Sequence, residues 1–131
     1  MNINIFTKKD DKEQLHHYSN LLAHFQIKYK TRSKLNLKQI KKLDEFTTRA
    51  IKYCNTGKYT KYKNEKWRRN VDLLATHEQL VLYNELFAYI NGMIKEVHND
   101  TKLSLKHKRI LAFYLSIIQC HIRGKLNRKI N

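Results

Sequence analysis

Residues 55–70 read NTGKYTKYKNEKWRRN, and their chemistry is that of a polyanion contact. Lys58, Lys61, Lys63, Lys66, Arg68 and Arg69 can each neutralise a phosphate, while Tyr59, Tyr62 and Trp67 can stack on unpaired bases. Glu65 is the one acid among them. A connection that only keeps helices apart in water gains nothing from interleaved aromatics. The competing reading has Trp67 and one tyrosine packed on the protein body while the lysines stay hydrated.

A second basic set lies near the C-terminus: Lys102, Lys106, Lys108 and Arg109, then Arg123, Lys125, Arg128 and Lys129. Cations late in a helix are stabilised by its dipole by about 0.3–1 kcal/mol, which explains part of the second group without any ligand. It does not explain why residues 101–131 hold eight bases and no acid. From these two sets the expected nucleic-acid contacts are Lys58, Tyr59, Lys61, Tyr62, Lys63, Lys66, Trp67, Arg68, Arg69, Lys106, Lys108, Arg109, Arg123, Lys125 and Arg128.

The charge of the whole chain points the same way. Across 131 residues, 27 bases face 11 acids, a net charge of +16 with neutral histidine. Residues 1–27 balance to zero, and 28–70 hold fifteen bases against three acids. Residues 71–100 reverse the sign, with one lysine and five acids. Self-repulsion on this scale is commonly matched by a polyanion.

Catalytic constellations are missing from the sequence. Asp72, Glu78, Glu85, Glu96 and Asp100 are strung out rather than paired, as two-carboxylate or metal-assisted hydrolysis would need. They suit pairing with lysines of neighbouring helices, or a face for a basic partner. The seven histidines form no HExxH, and RNVDLLATH has a different spacing from the Arg…His pair of HEPN ribonucleases. Cys54 and Cys120 form no CxxC pair and no zinc-type cluster; each falls in an apolar-periodic segment, so both are expected as buried free thiols. With no phosphate loop, no GxGxxG and no nucleophile beside a base, the chain reads as a non-enzyme without metal or cofactor.

The elements that must carry these residues are helices. There is no proline and there are three glycines, so little interrupts helical periodicity. From Lys9 to about Lys30, Leu15, Tyr18, Leu21, Leu22, Phe25 and Tyr29 recur at steps of three and four. Asn36 and Gln39 have capping-box spacing ahead of a stripe of Ile40, Leu43, Phe46, Ala50, Ile51 and Cys54, which Gly57 can close in the left-handed conformation. Trp67, Val71 and Leu74 suggest a short amphipathic segment. Thr76 and Gln79 repeat the capping box before a seam of Leu80, Tyr83, Phe87, Ile90, Ile94 and Val97. Ser104 can cap a last helix whose buried side is Ile110, Leu111, Tyr114, Ile117, Ile118 and His121.

These patterns predict an all-α protein, a compact single-domain bundle of four to five helices over residues 1–131. A short extended N-terminus (1–7), a basic loop at about 55–65 and a frayed tail at 124–131 complete it. The start MNINIF lacks the features of a signal peptide, and the apolar run ILAFYLSII is about half as long as a membrane span. A cytoplasmic protein with no membrane association is expected.

Within LKQIKKLDEFTTRAIKY, the stretch TTRAIKY resembles the start of the recognition helix of MerR-type regulators. That resemblance implies Thr47 as a cap and Arg49 and Lys52 toward DNA. Lys41 stands where the motif has a small alanine, and Glu45 where it has the glycine of the turn. One continuous amphipathic helix accounts for the same pattern and is the reading adopted.

In size, charge and helical content the chain is similar to the small subunits of multi-subunit CRISPR effector complexes, a likeness of class carried by no motif. The expected function is therefore nucleic-acid binding, RNA or single-stranded DNA ahead of duplex, mainly through phosphates and conceivably as a small subunit of a nucleoprotein complex. The alternative is a phage- or plasmid-encoded inhibitor or adaptor of the anti-CRISPR or bacteriocin-immunity kind, docking on a host protein. It would draw on the helix at 77–98 as a surface for a protein partner or a homodimer, and it gains if the Leu80–Val97 seam is exposed.

Overall fold

A computed structural model describes residues 8–31, 34–60 and 75–127. Four helices are found among the described residues: α1 (Lys8–Thr31), α2 (Leu37–Thr56), α3 (His77–Asn99) and α4 (Leu105–Asn127). The expected extended N-terminus at 1–7 and the amphipathic segment around Trp67, Val71 and Leu74 lie outside the described residues.

The helix starts follow from their caps. The Asn36 side chain accepts the Gln39 N–H at 2.9 Å while the Gln39 side chain accepts the Asn36 N–H at 2.9 Å. Thr76 and Gln79 repeat this reciprocal arrangement at the head of α3. The two glutamines then bond to each other at 2.9 and 3.1 Å, and the Gln79 amide also donates to the Lys34 carbonyl at 3.0 Å. One residue type thus satisfies orphan N–H groups within each helix and ties together the starts of α2 and α3, which are not packed along their lengths. At the other end of α2, Gly57 takes φ 69°, and its N–H returns to the Tyr53 carbonyl at 2.7 Å. Residues 37–56 are one uninterrupted helix, without the turn of a helix-turn-helix.

Cross-helix contacts set the directions. Gln26 and Tyr29 of α1 meet Asp44 of α2, while Ser19 meets Asn55, so these helices are antiparallel. His17 meets Glu96 and Leu21 meets Tyr89 across α1 and α3; Tyr53 meets His107 and Phe46 meets His121 across α2 and α4. Both pairs are antiparallel as well, as are α3 and α4, where Gln119 bonds to Asn91. The bundle therefore runs up, down, down, up. Because α2 and α3 point the same way, the chain leaving α2 must regain the end of the bundle at which α2 began.

The core is aliphatic with an unusual share of tyrosine. Tyr18, Tyr29, Tyr53, Tyr83 and Tyr114 are all fully buried. Four of their hydroxyls reach partners: Tyr18 donates to Asp100 at 2.6 Å, Tyr29 bonds to Asp44, Tyr53 to the Nδ1 of His107, and Tyr114 to the Thr60 backbone. The Tyr83 hydroxyl is buried with no hydrogen-bond partner among the described residues. Burial, reinforced at Tyr18 and Tyr29 by the adjacent carboxylates, pushes their hydroxyls well above the ordinary tyrosine range, so they remain hydrogen-bond donors.

Two expectations need correcting, those for Cys120 and for the end of α4. The face of α3 is as wide as the apolar Leu82, Leu86, Tyr89 and Met93 beside its seam imply: Tyr83, Ile90 and Val97 are buried together with Leu82, Leu86 and Met93, while Leu80, Phe87 and Ile94 sit at its margin. A helix gripped by neighbours on two sides buries a stripe wider than a two-helix seam. The bundle's own core occupies this face, which removes the reason for placing a dimer or partner contact there. Cys120 is exposed whereas Cys54 is buried, because position 120 falls on the side of α4 opposite Leu111, Tyr114, Ile118 and Ile122. Finally, α4 continues to Asn127 rather than fraying from 124, since Ile122 and Lys125 are buried and Leu126 packs against the core.

Candidate nucleic-acid interface

The basic connection is anchored at its entrance by α4. Tyr114 accepts the Thr60 N–H and donates to the Thr60 carbonyl, each at 2.9 Å. This double bond lays residues 57–60 along α4 and sets the Tyr59 ring 6.4 Å from Phe113 and 5.9 Å from Tyr114. A continuous run of rings results, from buried Tyr53 through Tyr114 to the surface, with centroids 5.6 to 6.4 Å apart. Its outer end is accessible: Tyr59 is 49% and Phe113 45% exposed.

Cations flank that aromatic end. Lys58 precedes Tyr59 and is exposed. Arg109 and Lys106 lie four and seven residues before Phe113, on the same solvent-facing row of α4, and both are exposed. Two accessible rings beside three positive side chains can stack a base and hold its phosphates, the combination that single-strand binding uses. The chain enters residues 61–74 directly from this patch and re-enters the described structure at Ala75, which is fully buried.

The remaining expected contacts are dispersed. Lys108 is half-buried, and its ammonium donates to the His98 carbonyl at 2.9 Å, satisfying the end of α3. Arg123 is exposed further along α4 with its guanidinium 5.6 Å from the centre of the Phe87 ring. Lys125 is 8% exposed, which corrects its expected role: it lies on the packed side of α4, where its stem covers apolar surface, and offers little to a phosphate. Lys61, Tyr62, Lys63, Lys66, Trp67, Arg68, Arg69 and Arg128 lie outside the described residues.

The bundle's acids are largely engaged internally, which sharpens the outward positive field. Asp44 accepts from Tyr29 and Gln26 and lies 3.0 Å from Lys30; Glu96 meets His17 at 2.6 Å; Glu45 meets Lys42 at 3.2 Å and Glu78 meets Lys34 at 3.9 Å. Asp100 accepts from Tyr18, Gln14 and the N–H groups of Lys102 and Leu103. Burial alone would raise its pKa, but the hydrogen bonds prevail and hold the carboxyl below the ordinary range. On α2, Lys38, Lys41 and Lys52 are exposed along the face turned away from the core.

Phe113 is the interface residue that sequence reasoning missed. It sits inside the apolar run ILAFYLSII but outside the buried side expected of the last helix. Its offset from the buried positions 111, 114 and 118, and its four-residue step from Arg109, were the available signals. Among the described residues no group of three or more His, Cys, Asp or Glu side chains is placed to hold a metal ion, and no helix is long and apolar enough to cross a membrane. Comparisons with protein-family models, with curated proteins and with solved structures found no match to this chain.

Proposed function

We propose that this protein binds nucleic acid without catalysing a reaction, favouring RNA or single-stranded DNA, and that it does so in the cytoplasm. The observation that carries the reading is the exposed Tyr59–Phe113 pair flanked by Lys58, Arg109 and Lys106, at the root of the basic segment. Phosphate neutralisation supplies affinity, and the rings supply the preference for unpaired bases. Residues 61–69 follow this patch in the sequence, and their composition extends the same chemistry.

The test is fluorescence anisotropy with labelled single-stranded RNA, single-stranded DNA and duplex DNA over a range of salt. Micromolar or tighter single-strand binding at physiological salt is expected, with log K falling by roughly 0.7 per phosphate contacted for each tenfold rise in salt. Replacing both Tyr59 and Phe113 with alanine should weaken single-strand binding by about tenfold or more, given about 1–3 kcal/mol per stacked base, and duplex binding much less. Binding that vanishes by physiological salt, or that loses equally on both substrates, overturns the reading.

A further inference from the structure

Beneath the aromatic patch, at the end of the bundle where α1 and α4 begin and α2 ends, lies an open pocket of about 540 Å³. It is lined by Asp11, Lys12 and His16 of α1, by the close of α2 at Gly57, and by Lys106 and His107 of α4. We infer that this pocket takes the terminal phosphate monoester of a nucleic-acid strand, held by Lys12, His16, Lys106 and His107. The inference rests on the nucleic-acid reading above and names which part of the strand reaches this end of the molecule.

Several features converge on an anion of that size. The volume falls in the range of small-ligand sites and accommodates a terminal nucleotide. Two lysines from different helices face one space, and the histidines add ring nitrogens that can hydrogen-bond to an anion's oxygens. Asp11, the acid in the lining, is already engaged: its carboxylate accepts the Ser104 N–H at 2.9 Å. Its other oxygen stands 3.8 Å from the Nε2 of His107, too far for a hydrogen bond. The Tyr53 hydroxyl bonds to the Nδ1 of His107, which leaves Nε2, beside the Asp11 carboxylate, as the ring nitrogen without a hydrogen bond.

Lys106 lies in the first turn of α4, where the helix dipole adds to its charge, and Lys12 lies just past the first turn of α1. Lys106 also belongs to the exposed row that carries Arg109 and Phe113, so the pocket and the aromatic patch form one path. Gly57 forms the turn at the pocket's edge with φ 69°, a left-handed conformation that favours glycine.

The test uses one 12-nucleotide RNA in three forms, with a 5′-phosphate, with a 3′-phosphate, and with hydroxyls at both ends, measured by competition against a labelled strand. One phosphorylated form is expected to bind at least fivefold tighter than the hydroxyl form, and which one does so identifies the end recognised. The Lys12→Ala, His16→Ala double variant should bring that form down to the affinity of the hydroxyl form. Both side chains are exposed, so thermal unfolding of the variant should match the parent. Equal affinity of the three forms for the parent protein overturns the inference while leaving general strand binding intact. A preference that survives the double variant also overturns it. If none of the three binds, the nucleic-acid reading itself falls.

Discussion

Replacing Tyr114 with phenylalanine removes one oxygen and asks whether the anchored entrance to the basic segment matters. The hydroxyl makes two bonds to Thr60, both at 2.9 Å, and the ring itself is fully buried against Tyr53 and Tyr59. Phenylalanine keeps the ring contacts and creates no cavity. Each bond contributes roughly 0.5–1.5 kcal/mol net, but Thr60 is exposed and water can replace the lost partner. The expected loss of folding stability is therefore about 1 kcal/mol, or a fall in Tm of about 3–5 °C for a domain of this size.

The functional effect arises separately. Tyr59 would have to be ordered on binding instead of beforehand, at a cost of about 0.5–1.5 kcal/mol, which lowers single-strand affinity by about three- to tenfold. Urea denaturation measures the first quantity, anisotropy the second, and hydrogen exchange at the Thr60 amide reports the anchor directly. Unchanged exchange at Thr60 together with unchanged affinity would refute the claim that Tyr114 positions the interface. A stability loss above about 3 kcal/mol would refute the assumption that water replaces the lost partner at Thr60.

Three further outcomes follow from buried polar groups. Asp100→Asn should destabilise the fold by about 2 kcal/mol at pH 7 in urea titrations, because four hydrogen bonds lose their charged acceptor. The folded-state pKa of Asp100 is lowered, so its contribution is complete above the ordinary carboxylate range and is lost as pH falls through that range; the variant should show a flatter stability profile there. His121 is pushed down to about 4 by burial, aided by the positive Lys125 and Lys42, so it is neutral in the fold at pH 7. Below pH 6.5 the unfolded chain takes up a proton that the fold refuses, and stability should decline by about 2–3 kcal/mol toward pH 4, a slope that His121→Leu removes. A thiol reagent under native conditions should modify Cys120 rapidly and Cys54 only on unfolding, since burial raises the Cys54 thiol to about 12; rapid loss of both thiols would contradict the packing of α2.

Much of the bundle was legible because its signals are local. The capping boxes at Asn36–Gln39 and Thr76–Gln79, the left-handed stop at Gly57 and the three-four periodicity of all four helices depend on residues a turn or two apart. So does the decision between one helix and a helix-turn-helix at 37–56: no residue there favours the turn. Where periodicity misled, as at Cys120, the fault lay in counting every position of an apolar segment as buried. Burial depends on how many neighbours a helix has, and a single helix does not encode that number.

The amino-acid sequence by itself determined the helices, their caps, the excess of positive charge and the presence of aromatics within the basic segment. Only the tertiary structure decided which charges face outward. Lys108 and Lys125 are indistinguishable from Arg109 and Arg123 by composition, yet one caps α3 and another is buried, while the arginines remain at the surface. Phe113 came to lie beside Tyr59, and Asp11, His16 and His107 came to share a pocket, through contacts between residues far apart in the chain. Helix propensity and capping act over a few residues and can be read along the chain, whereas a site is a coincidence of several helix faces, fixed only when the core closes and sets their rotation.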